Sequence, residues 1–173
     1  ENGGGRSVDV LVNNASAPFS PKPFAELDWR EVESLFEVQL RGAFYCVQRA
    51  LPGMLAEKSG AIVNVGSILT SAPPPAQWTA FVMAKAALAG FTRALAAEYG
   101  PHGIRVNLVS PGTTATDAIG GLPERLRKVQ AMQTPLRRLA ETEDVARAVV
   151  FLCSGAADFL TGIDLPVAGG ISV

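Results

Sequence analysis

The sequence predicts an α/β fold built on a parallel sheet, and three observations carry that prediction. Four short apolar runs, residues 8–12, 61–65, 104–109 and 163–167, are nearly continuous rather than alternating, the pattern of strands buried on both faces. Helical stretches separate them in the order β-α-β-α-β-α-β, and each crossover is long enough for a right-handed parallel connection. The 173 residues are 48% apolar and 18% charged, enough for one domain with a sizeable buried core.

After the first run, a helix is predicted over residues 28–58. Asp28 stands as its N-cap with Glu31 three residues on, a capping-box start, and the pattern loses regularity at Pro52-Gly53. A second helix, 79–99, follows the run 61–65 and stops at Gly100-Pro101. Its apolar residues do not form one stripe: Ala84, Leu88, Phe91 and Leu95 make one face, while Ala86, Ala89, Ala96 and Ala97 lie off it. Small residues on a second face let another helix approach closely, so this helix is expected to meet the sheet on one side and a second subunit on the other. The plainer reading is that alanine raises helix propensity. A short helix is predicted over 123–133. A third long helix starts at Thr142 as N-cap, carries Glu143 and Asp144 where the helix dipole favours acids, and runs to Ser154. Pro73-Pro74-Pro75 reads as a stiff loop, and no internal repeat occurs.

Charge and cysteine usage narrow the function classes. Fifteen Lys+Arg against sixteen Asp+Glu leave a net charge of -1, without the electrostatic footprint of a nucleic-acid binder or a basic run for a membrane surface. A small or carrier-bound substrate is the expectation. No apolar run approaches the ~20 residues of a transmembrane helix and no signal-peptide pattern opens the chain, so the cytoplasm is the expected compartment. Cys46 and Cys153 sit in apolar helical patterns and read as two buried free thiols. His102, the single histidine, falls in Gly100-Pro101-His102-Gly103 without a metal-ligand partner; it reads as a surface turn residue, and no metal site is expected.

Six short motifs run in a recognisable order. Leu11-Val12-Asn13-Asn14-Ala15 is followed by Val65-Gly66-Ser67, and fourteen residues later by Phe81-Val-Met-Ala-Lys85. Gly103-Ile-Arg-Val-Asn107 leads to Ser110-Pro111-Gly112; Pro135-Leu136-Arg137-Arg138, Glu143-Asp144-Val145-Ala146 and Val167-Ala168-Gly169-Gly170 complete the set. Singly they are weak, but their order over essentially the whole chain resembles the short-chain dehydrogenases/reductases, closest in pattern to the 3-oxoacyl-thioester reductases. The resemblance implies a Rossmann-like, partial doubly wound sheet in a single incomplete domain over residues 1–173, with a substrate-side lid over residues 113–133.

The resemblance also implies a chemistry, hydride transfer coupled to proton transfer. In the family a tyrosine phenol donates to the carbonyl oxygen, a lysine four residues on lowers the phenol pKa and bonds the nicotinamide ribose, and a serine holds the oxygen. Ser67 and Lys85 stand at two of these positions, but Phe81 stands at the tyrosine position and Gln39 at that of an asparagine which supports a proton-relay water. Asn13, Asn14, Ala15, Lys85, Pro111, Gly112, Thr114 and Thr116 are implied to contact the nicotinamide end of NAD(P). Trp78 has two readings, substrate wall or packing residue.

No G-x-x-x-G-x-G turn follows a strand, and Gly3-Gly4-Gly5 has no strand before it. In this register the chain opens just before the fourth of seven strands, lacks the dinucleotide-binding strands, and leaves the strand 8–12 as an edge expected to be covered. Binding of NAD(P) by this chain alone is therefore not expected. Three functions follow: a catalytically impaired subunit that supports an intact homologue through helices 28–58 and 79–99; the C-terminal part of an active NAD(P)-dependent reductase; and a non-redox enzyme using Ser67 and Lys85. The charged stretch Glu124-Arg125-Leu126-Arg127-Lys128 is either a solvated face or a meeting point for a carrier-bound acyl substrate.

Overall fold

A computed structural model describes residues 7–116 and 123–171. Four parallel strands, β1 (Val10–Asn13), β2 (Gly60–Val65), β3 (Ile104–Pro111) and β4 (Asp164–Val167), form one sheet in the order β1-β2-β3-β4. The register pairs Asn13 with Asn64, Val65 with Val109 and Pro111 with Val167, so the strands end together at one edge. The helices are α1 (Trp29–Phe36), α2 (Gly42–Glu57), α3 (Thr79–Tyr99), α4 (Glu124–Gln133) and α5 (Thr142–Cys153).

Alternation along the central strands divides the core into two layers. Ile62, Ile104 and Val106 pack with Val47, Leu51 and Met54 of α2 and Leu95 of α3, while Val63 and Val109 point the other way onto Leu152 of α5. Helices therefore cover both faces, the doubly wound arrangement that the sequence predicts. Complete burial on both faces holds only for β2 and β3. In β1, Leu11 meets the α2 layer, but Val10 and Val12 are 45% and 41% exposed because none of the described helices covers their side.

The predicted helix 28–58 is three segments. Asp28 does cap α1: its Oδ1 accepts from the Arg30 N–H at 2.8 Å and the Glu31 carboxylate accepts from the Asp28 N–H at 3.1 Å. A π-helical turn, Glu37–Arg41, then separates α1 from α2. The loss of regularity expected at Pro52-Gly53 does not occur, since Pro52 lies on the solvent side while Leu51 and Met54 anchor α2 to the sheet; the helix runs to its C-cap Lys58, whose φ is 50°, the end that the sequence predicts. The N-cap of α5 is Glu141 rather than Thr142, because the Asp144 carboxylate reaches back to the Glu141 N–H at 2.8 Å.

Three further expectations need correction. Cys153 is half-buried and Cys46 exposed on the outer side of α2, so the thiols are free but not both buried. Ala89 and Ala96, assigned to a second face of α3, are buried within this chain. Ala43, Val47 and Ala50 of α2 share their core clusters, while Ala86 and Ala97 stay exposed. Residues Thr79–His102 are also long and apolar enough, by length and composition, to cross a membrane, contrary to the sequence reading; here Ala84, Leu88 and Leu95 are packed in the core.

Arg105 and Asn107 of the third motif are structural. Arg105 donates to the carbonyls of Leu152 and Ser154 at the C-terminus of α5, where a cation complements the helix dipole. Asn107 donates to Leu160 O and accepts from Ile163 N–H, seating the approach to β4. Gly169 is required by its φ of 58° and by Thr134, whose Cγ2 would lie 2.6 Å from an added Cβ. Gly120-Gly121 of the predicted lid and Gly3-Gly4-Gly5 lie outside the described residues.

Candidate active site

Residues at the C-terminal ends of parallel strands share one rim, the position where open α/β sheets bind ligands. Asn13 ends β1, Ser67 follows β2, and Pro111 and Gly112 close β3. Gly66 must be small: an added Cβ would lie 2.9 Å from Leu108 Cδ2 and 3.0 Å from Ser110 Oγ, and bulk there would displace the turn that carries Ser67.

Beneath the rim runs a hydrogen-bond relay. Asn13 Nδ2 donates to Asn64 Oδ1 at 2.7 Å, Asn64 Nδ2 donates to Thr92 Oγ1 at 2.8 Å, and the Thr92 hydroxyl donates to Leu88 O at 2.8 Å. Asn64 and Thr92 are fully buried, so the bonds from Asn64 to Thr92 and from Thr92 to Leu88 are made away from water and would be costly to leave unmade, while the Asn13 end is half-buried. The relay ties β1 to β2 and β2 to α3.

Lys85 lies one α3 turn beyond Phe81 and is 4% exposed. Its Nζ donates to Val65 O at 2.8 Å and sits 5.8 Å from the centre of the Phe81 ring. Burial pushes its ammonium down from the usual 10.5 to about 8, since the charged form loses its hydration. Ser67 is buried; its Oγ accepts from the Leu69 N–H at 3.3 Å, leaving the hydroxyl proton available to a ligand. Phe81 stacks on Phe19 at 5.0 Å between ring centres and meets Trp78 edge-on at 5.5 Å; Phe19 and Trp78 also touch edge-on at 4.7 Å. The position that the sequence reading associates with a proton donor thus lies inside an aromatic trio.

A cavity of about 280 Å³ opens beside these rings, lined by Ser67, Trp78, Phe81, Pro111, Gly112, Thr114 and Thr116 among others. The structure thereby brings together seven residues singled out in the sequence, and Trp78 serves as both wall and packing residue. The remaining positions are elsewhere. Asn14 and Ala15 are exposed on the rim, the Asn13 amide is turned inward to Asn64, and Lys85 points to the β2 carbonyl rather than into the cavity. Gln39, on the π-helical turn, is 2% exposed; its Nε2 donates to Ser16 Oγ at 2.9 Å while its Oε1 is buried without a partner. A π-helical turn holding a buried polar side chain is a feature enriched at functional sites.

Sequence reasoning missed Asn64, Thr92 and Phe19. Asn64 carried a usable signal, a lone amide inside the apolar run 61–65, where a buried polar group must find a partner. Phe19 carried none, because only the path of the loop before α1 brings it against Phe81.

The family model described as "Enoyl-(Acyl carrier protein) reductase" matches residues 4–172. Cis-4-hydroxycyclohexanecarboxylate dehydrogenase of Sinomonas cyclohexanicum is 45% identical over 167 residues, covering 95% of this chain and 66% of its own length. The crystal structure of 3-oxoacyl-[acyl-carrier protein] reductase from Brucella melitensis superposes with a TM-score of 0.90 at 34% identity, over 95% of this chain and 63% of that one. A 3-oxoacyl-[acyl-carrier protein] reductase with bound NAD from the same organism gives a TM-score of 0.86 at 34% identity, over 95% and 62%. The chain spans less than two thirds of the length of these proteins.

Proposed function

The chain belongs to the short-chain dehydrogenase/reductase family, and on that premise we propose that it is an oxidoreductase-type subunit that, as its sequence stands, is impaired in carbonyl reduction and supports an intact homologous subunit. One observation carries the reading: Phe81 occupies the proton-donor position as a plain hydrocarbon ring. Among the described residues lining the cavity, none brings a carboxylate, imidazole, thiol, phenol or amine. Loss of a positioned general acid costs about 10²–10⁴ in rate.

The residues present fit the nicotinamide end of NAD(P) and no more of it. At Gly112 an added Cβ would press on Ala168 at 3.1 Å, so the glycine lets the end of β3 pack against the segment after β4 and keeps the rim beside the cavity in place. Ser67, Pro111, Gly112, Thr114 and Thr116 would hold that end; Lys85, Asn13, Asn14 and Ala15 support the rim beside it. When bound, the nicotinamide supplies or accepts the hydride. Ser67 can donate to a substrate oxygen, whereas Lys85 fixes α3 to the β2 carbonyl. The sequence has no glycine-rich turn for the pyrophosphate, which argues that the dinucleotide is not held tightly by this chain alone.

Support of a partner rests on exposed apolar side chains over residues 28–58 and 79–99. Val38, Phe44, Tyr45, Leu55 and Met83 are each more than a third exposed, as apolar groups awaiting an interface would be. The open β1 edge, with Val8 at 47% exposure, is a second surface that another polypeptide segment would cover. A second reading is favoured by the length comparison: the chain is the C-terminal part of an active NAD(P)-dependent reductase whose ketone or acyl-thioester substrate resembles those named for its relatives.

Calorimetric titration with NADPH and NADH, followed by turnover assays, separates the two. The expected result is no tight binding by the chain alone, no turnover after Phe81→Tyr alone, and raised activity when the chain is added to a full-length homologue. Tight cofactor binding with turnover by the unaltered chain would replace the supporting role with the second reading.

A further inference from the structure

We propose that α4 and the turn after it dock on an anionic lipid surface, with Leu126, Val129 and Met132 entering the interface and Arg125 and Arg137 meeting the headgroup phosphates. The inference goes beyond the reading of the catalytic rim and does not depend on it.

α4 is turned inside out relative to an ordinary surface helix. None of its residues is fully buried, and Leu126, Val129 and Met132 are 49%, 42% and 67% exposed. Spaced by three, these side chains form one outward stripe, and Leu136, 66% exposed, stands just past the helix end. The inward side is the polar one, where Arg127 Nε and Gln130 Oε1 are buried. A helix packed only for the benefit of its own chain would place these two faces the other way round. The outward stripe thus points to an apolar phase outside the chain.

Charge identifies that phase. Residues 124–138 hold Arg125, Arg127, Lys128, Arg137 and Arg138 against the single acid Glu124, in a chain whose net charge is -1. The sequence shows no continuous basic run, and folding gathers these cations: Arg137 donates to Met132 O and so returns to the C-terminal end of α4. Lys128 is held by Glu124 at 2.8 Å and Arg138 by Asp144 at 2.5 Å, which leaves Arg125 and Arg137 without a carboxylate partner among the described residues.

Arg125 decides between a lipid and a protein. It lies on the apolar stripe itself, four residues before Val129 and seven before Met132. In a dry protein groove that guanidinium would lose its hydration and need a buried counter-charge. At a bilayer its long arm lies along the hydrocarbon while the charged head rises to the phosphates. Apolar and basic side chains on one exposed helix are the composition of an interfacial helix. Gln130 also lines the cavity beside Phe81, so a docked chain holds that wall of the cavity close to the lipid.

Co-sedimentation of the full chain with phosphatidylcholine vesicles, with and without about a third phosphatidylglycerol, tests the proposal. Binding is expected to the anionic vesicles only. It should fall steeply as ionic strength rises from about 0.1 M to about 1 M, where the screening length shortens from ~10 Å to ~3 Å. Arg125→Gln should weaken it about fivefold. The triple variant Leu126→Ser, Val129→Ser, Met132→Ser should abolish it, and Phe159→Ser, at a fully exposed ring elsewhere, should leave it unchanged. All these positions are exposed, and circular dichroism checks that each variant is folded. Failure to bind anionic vesicles overturns the proposal, as does equal binding to neutral ones, binding that survives the triple substitution, or loss of binding in Phe159→Ser. Tighter capture by polyglutamate than by the vesicles would assign the surface to an acidic protein and overturn it as well. The readout needs no turnover, so this surface and the supporting role stand or fall separately.

Discussion

At the rim of the sheet, Asn13, Asn64 and Thr92 hold one another through donors and acceptors at 2.7–2.8 Å, whereas a few residues away Phe19, Trp78 and Phe81 meet through ring faces and edges. The relay is directional and buried at Asn64 and Thr92, so these members depend on their neighbours being present. The aromatic wall is held by area and shape, which tolerate a change of one atom. A hydroxyl can therefore be absent from the Phe81 position without unmaking the fold, while the same loss at Thr92 would strand a buried amide.

Three perturbations would break or sharpen that contrast. The largest concerns Lys85, at the boundary between the regions. Its folded-state pKa is depressed to about 8, so between pH 8 and 10.5 the unfolded chain keeps a proton that the folded chain has released. Stability should accordingly rise by about 3 kcal/mol as pH climbs through that window, with the penalty of the buried charge fully present below it. Urea denaturation at pH 7.5, 9 and 10.5 checks this, and Lys85→Met should flatten the rise. A flat profile in the unaltered protein would mean that the floor of the site is wet.

A smaller effect is expected for Asn64→Ala, which leaves the Asn13 amide and Thr92 hydroxyl without their central partner. About 2 kcal/mol of stability should be lost, read from the urea midpoint, and Thr92→Val in the same background should add little. Full additivity of the two would show that the relay is only a row of separate bonds. The smallest stability change belongs to Phe81→Tyr, expected within about 0.5 kcal/mol because the ring and its stacking persist. A loss above about 2 kcal/mol would show the wall to be as exacting as the relay.

The sheet order and the cavity were legible in the sequence to different depths. Continuous apolar runs and crossover lengths place four parallel strands, although burial on two faces, which leaves no room for alternation, holds only for β2 and β3. Ser67, Phe81, Pro111 and Gly112 could be gathered in advance since strand ends and a helix start bring them to one rim. The irregularity expected at Pro52-Gly53 did not appear because proline on a solvent-facing side is compatible with a helix anchored by its neighbours. The small residues of α3 divide between two environments, Ala89 and Ala96 in the core and Ala86 and Ala97 at the surface, because spacing along one helix does not record which neighbours cover it.

Local chemistry along the chain was enough to determine strands, the Asp28 cap and the absence of a hydroxyl at residue 81, for those depend on neighbours within a few positions. Tertiary structure alone decided that Asn64 joins Asn13 to Thr92, that Lys85 turns to Val65 rather than into the cavity, and that Phe19 stacks behind Phe81. Each of these pairs groups far apart in the chain. Such contacts depend on which surfaces the packed sheet and helices bring together, and no periodicity within a single segment records that.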